Sequence, residues 1–432
     1  MTRKGTEWAI AEGRLGDPET GRPLCVPIRS IEIRESLVGM EEHLVSGLQL
    51  GPALLLVSDA NTHRAMGGRV AAALASSHRL TTAVLPAGVQ ADARTAARLR
   101  AACAGVDAVI AVGAGTINDL CKYAAHQAGK PYAVFGTAPS MNGYTSVNAS
   151  ISTDGFKRTL PASAPRGVFL DLGVLARAPA RLIRAGLGDS LCRCTAQADW
   201  LLAHLLHGHA YRETPFRLLA EDEEGLLAEP EALLAGEVPA VARLARTLVL
   251  SGIGMTLCGG SYPASQGEHL ISHYIEMMAP RDWPHHLHGE QVGVATLTVA
   301  GLQQRLLAEP APRVRATRTR EADLIAHFGE ALGRACWREF TGKALDEDAA
   351  EALNARLARD WDAIRARIAP VTRPPDRLRQ VLERAGAPDT PAALNLPPDF
   401  YRAAVYHARE IRSRYTFLDL AGGCGLLETA AP

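Results

Sequence analysis

The sequence predicts an α/β N-terminal domain with a mainly parallel sheet, followed by an all-α C-terminal domain. Three observations carry this. Short apolar runs alternate with Ala-rich helical stretches between residues 53 and 136, the pattern of strands joined by covering helices. One of those runs ends in a glycine turn that opens a helix, VGAGTIND. From Pro179 onward, β-like runs nearly vanish and Ala, Leu and Arg recur at helical spacing. A chain of 432 residues exceeds one typical domain, and the boundary falls near Leu175. Residues 1–24 read as an irregular extension, 25–175 as the sheet domain and 176–432 as the helical domain.

The first-domain runs are Ala53 to Ser58, Thr82 to Leu85, Ala108 to Val112 and Tyr132 to Gly136. Helices over His63 to Ser77, Asp92 to Ala104 and Ile117 to Gly129 connect them, and connections of that length make right-handed crossovers. Ala149 to Ser152 and Phe156 to Leu160 flank Thr153-Asp154-Gly155 as a hairpin, and Gly167 to Leu172 is the last run. In the second domain, Val241 to Cys258 should form a buried apolar helix, and another runs from beyond Gly289 to about Leu307. Amphipathic helices fill most of 321–386 and 397–418.

The 46 Lys and Arg balance 46 Asp and Glu without a clustered basic face, which argues against nucleic acid or an acidic membrane as partner and for a small molecule. Eight cysteines without a CxxC pair suit reduced thiols in the cytoplasm. The opening MTRKGTEWAIAEGR has no apolar core of a signal peptide, and no apolar run suits a membrane span, so neither export nor insertion is expected.

In VGAGTIND, Gly113, Ala114 and Gly115 make a tight turn before a helix starting near Thr116. Small residues let a pyrophosphate approach the backbone, and the helix N-terminus supplies partial positive charge, so a dinucleotide is the natural ligand of a Rossmann-like sheet. Asn118 stands where GxGxxG has its third glycine, so the ordinary fingerprint is absent. Asp59 follows the run LLLVS and could accept from ribose hydroxyls while repelling a 2′-phosphate, giving a lean toward NAD over NADP; a helix N-cap explains it equally. Beyond the fourth run, Thr137, Ser140, Asn142, Thr145 and Ser146 cluster where a nicotinamide ribose could be oriented, although the same residues suit turns.

The strongest chemical signal is GGSYPASQGEHLISHYIEMMAPRDWPHHLHGEQVG, residues 259–293. His269 and His273 stand one turn apart on a helix face, and the break at Pro280 to Pro284 lets the chain return His288 to them. Imidazoles plus one carboxylate suit zinc, iron or nickel and leave a coordination position open, a catalytic pattern; hydrogen-bonded histidines without metal fit the spacing too. Asp189, among small and apolar residues of the first C-terminal helix, is nominated as the carboxylate, with a buried hydrogen bond as its alternative. Cys192 and Cys194 point to different helix faces and read as packing.

VGAGTIND, GTAPSMNGYTS, GLGDS, QGEHLISH and LHGEQVG, in this order over roughly Ser58 to Gly293, resemble the sn-glycerol-1-phosphate dehydrogenases, most closely the bacterial type. These belong with the glycerol dehydrogenases, iron-containing alcohol dehydrogenases and dehydroquinate synthases. The resemblance implies a dehydroquinate synthase-like architecture and a homodimer, with NAD(P) held by Asp59, Gly113, Ala114, Gly115, Thr116, Ile117, Thr137, Ala138, Pro139, Ser140 and Ser146. It implies one divalent metal, zinc, nickel or iron, on Asp189, His269 and His288, with His273 facing substrate. It further implies a metal-dependent interconversion of dihydroxyacetone phosphate and sn-glycerol 1-phosphate. Asn142 stands where the family usually has Asp; it can hydrogen-bond but cannot carry charge or act as a base. That keeps open a dehydrogenase of glycerol or another polyol or hydroxyketone, and a non-catalytic nucleotide-binding homologue. Lys157 and Arg158 of the hairpin are candidates for a phosphate contact. A zinc peptidase does not fit, because Leu270, not Glu, follows His269.

Overall fold

A computed structural model describes residues 5–153, 156–280, 283–284 and 286–427. The chain divides into two compact units, Met1–Ser190 with Glu213–Ser261, and Leu191–Arg212 with Tyr262–Pro432. The expected boundary at 175 therefore falls inside the first unit, which also holds residues 176–190 and 213–261.

The first unit is built on six parallel strands: β1 Ser30–Arg34, β2 Ala53–Asp59, β3 Arg79–Leu85, β4 Ala108–Gly113, β5 Tyr132–Gly136 and, after a hairpin of β6 Asn148–Thr153 and β7 Phe156–Pro161, β8 Gly167–Asp171. Their order is β1-β8-β5-β4-β2-β3. Every residue of β4, β5 and β8 is buried, which is why these strands read as unbroken apolar runs; both faces of a parallel sheet are covered. β1 escaped the sequence reading. It is an edge strand of five residues with a single buried position, too short and too polar to announce itself, and its pairing with β8 is what defines it.

The chain steps from β2 outward to β3, then returns to the other side of β2 for β4. That reversal opens a crevice at the carboxyl ends of β2 and β4, the usual ligand position of an open α/β sheet. Residues Leu54 to Val57 pair with Ala108 to Ala111, so the two strands run level toward Asp59 and Gly113. The helix after β3 is α1 Ala93–Ala102, capped by the Asp92 side chain on the Thr95 N–H, and the helix after β4 is α2 Gly115–Gln127. The helix expected over 63–77 is instead Ala60–Thr62, a wider π segment His63–Gly67, and Gly68–Leu74.

Two later helices complete this unit: α3 Ala180–Leu191, apart from its last residue, and α4 Val238–Leu257. By length and composition α4 could cross a membrane, but 72% of its apolar window is buried within the protein. It packs on the short 3-10 turn Asn142–Thr145, where Gly252 leaves no room for a β-carbon beside Thr145 Oγ1 and the Asn142 carbonyl. Thr145 donates to the Val249 carbonyl at 2.7 Å and Thr256 donates to the Thr145 carbonyl at 2.9 Å. These contacts, between residues more than a hundred positions apart, are the reason the 213–261 segment closes with the sheet.

The second unit is helical. Its core joins Leu201, Leu202 and Leu206 to Leu270, Ile271 and Ile275, then to Val294, Val299 and Leu302, and on to Leu357, Trp361 and Phe417. These lie on α5 Arg193–His207, α6 Gly267–Met278, α7 His288–Ala308, α8 Glu347–Ile368 and α9 Phe417–Gly423. Asp199, fully buried on α5, ties two helix starts together: Oδ2 accepts the Gly267 N–H and Oδ1 the Phe417 N–H, both at 2.9 Å.

Candidate functional site

In the first unit, the turn between β4 and α2 has the expected shape. A β-carbon on Gly113 would meet the Ile117 side chain at 2.5 Å, so only glycine lets the strand pass this closely into the helix. Ala114 caps α2 without a side-chain acceptor, which leaves the first amides of a 13-residue helix for another acceptor. Asn118, at the third-glycine position, is fully buried and donates to Asp119 Oδ1 at 3.0 Å.

The strand-end turn of residues 137–140 lies beside it. The Thr137 N–H donates to the Gly113 carbonyl at 3.2 Å. Tyr144, which the sequence reading passed over, is buried and its hydroxyl reaches the carbonyls of Ala138 at 2.8 Å and Gly113 at 3.3 Å, linking the two turns. Thr137, Ala138 and Ser140 are all buried.

Asp59 does cap a helix: Oδ1 accepts the Asn61 and Thr62 N–H groups at 2.8 and 2.9 Å, and Thr62 Oγ1 accepts the Asp59 N–H. Its Oδ2 has no hydrogen bond among the described residues, so the cap leaves one carboxylate oxygen at the strand end.

Thr145 and Ser146 differ from the expectation that their hydroxyls face a ligand. Thr145 is fully buried on α4, and Ser146 Oγ accepts from Lys122 Nζ at 3.1 Å while lying 3.1 Å from the carbonyls of Gly143 and Asn148. Lys122 is itself completely buried on α2 and also donates to the Gly143 and Asn148 carbonyls. Burial pushes its amine down to about 8, with Asp119 opposing the shift. A lone lysine in an amphipathic helix gives no sequence signal for such a role. Asp189, near the end of α3, is buried, and its Oδ2 accepts the Asn142 N–H at 3.0 Å. It is therefore the backbone of Asn142, and not its amide side chain, that Asp189 holds. Arg158 is exposed, and the side chain of Lys157 lies outside the described residues.

In the second unit, the three histidines come together as their spacing predicts. Ring centroids of His269 and His288 are 5.0 Å apart, those of His269 and His273 6.0 Å, and those of His273 and His288 5.8 Å. His269 Nδ1 lies 3.0 Å from Glu268 Oε1. That carboxylate also accepts from the Gln266 N–H at 2.8 Å and Thr195 Oγ1 at 3.0 Å. Burial acts to raise Glu268, but the hydrogen bonds from His269 and the Gln266 amide hold its carboxyl below the usual range. An ionised acceptor at Nδ1 fixes the His269 proton there and leaves Nε2 as the lone-pair nitrogen, the arrangement of a metal-binding imidazole.

His288 Nδ1 faces Glu276 Oε1 and Ser272 Oγ, both at 3.3 Å, and His273 Nδ1 faces Glu276 Oε2 at 3.4 Å. Burial drives His273 down to about 4 despite Glu276, so its ring is neutral at physiological pH. Cys192, Glu268 and His269 also bring donor atoms within 4.8 Å of one another, but Cys192 Sγ points to the Ala264 carbonyl at 3.6 Å, in keeping with packing. Glu268 and Glu276 were missed from sequence; each stands one or three residues from a histidine on α6, a spacing that could have flagged them.

Residues 32–179 match the family model of iron-containing alcohol dehydrogenases. The chain is 30% identical over 381 residues to a glycerol-1-phosphate dehydrogenase [NAD(P)+] of Bacillus licheniformis, covering 86% of this chain and 83% of the relative. It is 36% identical over 213 residues to the enzyme so named from Pyrococcus furiosus, covering 49% of this chain and 61% of the relative. A probable glycerol dehydrogenase from Sinorhizobium meliloti shares the fold, with a TM-score of 0.59 at 18% identity over 93% of this chain and 96% of the other. An archaeal alcohol dehydrogenase from a Red Sea brine pool superposes with a TM-score of 0.62 at 13% identity, over 93% and 96% of the two chains.

Proposed function

Since the chain belongs to the glycerol-1-phosphate dehydrogenase family and is an NAD(P)-dependent, metal-containing alcohol dehydrogenase, we propose the following use of its residues. The reaction transfers a hydride from NADH or NADPH to the ketone carbon of dihydroxyacetone phosphate and a proton to its oxygen, giving sn-glycerol 1-phosphate and the oxidised nucleotide. The turn Gly113 to Ile117, with Thr137, Ala138, Pro139 and Ser140, takes the nucleotide, and the open amides of α2 take its pyrophosphate. Asp59 offers Oδ2 to a ribose hydroxyl, and Ser146 supports this face through Lys122 instead of touching the nucleotide.

His269, His288 and Asp189 hold one divalent ion, with zinc, nickel and iron all suited to two imidazoles and a carboxylate. A bound ion of this kind polarises a carbonyl and stabilises developing alkoxide. What carries the assignment is the Nδ1 contact of each histidine with a carboxylate, at 3.0 Å for His269 and 3.3 Å for His288, which turns both Nε2 lone pairs to the ligand role. His273, neutral and with its Nδ1 toward Glu276, has Nε2 available to accept the substrate proton in the oxidation direction and return it in reduction. Asn142 contributes hydrogen bonds and no charge.

The physiological setting that accompanies this reading is a cytoplasmic homodimer acting on a phosphorylated triose. Sedimentation at working concentration tests the dimer. The function is tested by following NADH and NADPH oxidation with dihydroxyacetone phosphate, with unphosphorylated dihydroxyacetone, and with each metal restored to stripped protein. Turnover confined to the phosphorylated ketone supports the assignment. Preference for glycerol and dihydroxyacetone would replace it with a polyol dehydrogenase, and tight NADH binding without any turnover would leave a non-catalytic homologue.

A further inference from the structure

Glu276 lies within reach of two histidine rings at once. Its Oε1 is 3.3 Å from His288 Nδ1 and its Oε2 is 3.4 Å from His273 Nδ1, and the side chain is 12% exposed. Ser272, one turn earlier on α6, strengthens the arrangement at His288. Its hydroxyl donates to Gln291 Oε1 at 2.9 Å, so toward His288 Nδ1, at 3.3 Å, it can present only a lone pair. A hydroxyl lone pair and a carboxylate oxygen both require Nδ1 to carry the hydrogen. The same holds at His273, where Nδ1 faces the other oxygen of Glu276. Both rings are thereby set as Nδ1–H tautomers with the lone pair on Nε2.

We infer that Glu276 is a positioning residue whose two carboxylate oxygens fix the tautomer and orientation of His288 as a metal ligand and of His273 as the proton carrier. This rests on the roles proposed above for those histidines and adds the group that couples them. The reasoning is particular to a carboxylate. A glutamine at 276 has the same shape, but one of its two polar atoms is an NH2. Aimed at an imidazole Nδ1, that NH2 demands a lone pair there and moves the ring hydrogen to Nε2, the nitrogen needed for metal or proton. One carboxylate serves both rings; one amide serves a single ring. Carboxylates behind metal-bound histidines typically govern metal affinity by about 10- to 100-fold.

The test uses the full chain, with cobalt(II) as a spectroscopic probe and steady-state assays with dihydroxyacetone phosphate and NADH at saturating metal. Glu276→Gln should bind cobalt about 10- to 100-fold more weakly. At saturating metal it should still show a lower kcat at little-changed KM. Adding Glu276→Gln to His273→Ala should slow turnover no further than His273→Ala alone, because both changes disable one proton carrier. Cobalt affinity and kcat both equal to the parent's, or kcat losses that multiply in the double variant, would overturn the inference. His269→Ala and His288→Ala, titrated in parallel, separate its failure from that of the metal reading. If they lose cobalt while Glu276→Gln matches the parent in both cobalt affinity and kcat, only the role of Glu276 falls; if they too bind cobalt as the parent does, the metal assignment itself falls. Should Glu276→Gln not fold, Glu276→Asp decides. One methylene shorter, it reaches only one of the two rings, and unchanged cobalt affinity together with unchanged kcat would overturn the inference.

Discussion

Gly186 faces the carbonyl of Pro139 with no space for a β-carbon between them. The contact places α3 directly on the 137–140 turn, and one turn further along the same helix Asp189 holds the Asn142 amide. Gly186→Ala would gain helix propensity of about 1 kcal/mol. It would also drive a methyl into a backbone atom, an overpacking that costs about 1–3 kcal/mol or more. The collision should win. A lower Tm and weaker NADH binding, read by thermal unfolding and fluorescence titration, are the expected results; a raised Tm would mean that the turn yields freely.

Lys122 organises the loop that carries Asn142. Lys122→Met removes the donor shared by Gly143, Ser146 and Asn148 and leaves buried acceptors unmet, at about 1–3 kcal/mol. The pH dependence has a definite sign. The amine titrates at about 8 when folded against 10.5 as its ordinary value. Between those values the unfolded chain holds the extra proton, so rising pH favours the fold; below about 8 both states are protonated and the contribution is flat. The stability gap between parent and Lys122→Met should widen from pH 8 to 10.5 in urea titrations. A constant gap across that window would contradict a buried, shifted amine.

Asp59 combines a cap with a proposed ribose contact, and the two can be separated. Asparagine caps helices as well as aspartate does, so Asp59→Asn should leave stability within about 0.5 kcal/mol. Removal of the charge should nevertheless shift the ratio of dissociation constants toward NADPH, since a 2′-phosphate would no longer be repelled. Paired titrations with both nucleotides check this, and an unchanged ratio would reduce Asp59 to its cap.

Metal removal should lower Tm, because a ligand that binds only the folded state stabilises it by about 2.7 kcal/mol at a hundredfold excess over Kd. Restoring zinc, nickel or iron should recover both Tm and turnover in the parent. His269→Ala, His288→Ala and Asp189→Ala should recover neither. Turnover retained by these variants after chelation would reject the three residues as ligands.

Much of the fold was legible in the sequence because it is written in local periodicity. Continuous apolar runs gave β2, β4, β5 and β8, since strands buried on both faces need no alternation. The Gly113 turn and the His269, His273 and His288 spacing are likewise local, the first a matter of steric room and the second of helix pitch. The edge strand β1 had no such signal, being defined by its partner β8.

Tertiary structure decided what depends on who meets whom. Helix α4 reads from sequence as part of the helical region, yet Gly252 and Thr145 close it onto the sheet unit. Tyr144 and Lys122 acquire their roles only when carbonyls distant in sequence converge on their polar atoms. The sequence alone determined that three imidazoles share a neighbourhood. Which nitrogen of each carries its hydrogen was settled by Glu268, Glu276 and Ser272, because a tautomer is fixed by the acceptor a ring meets in the folded chain and by nothing in the histidine itself.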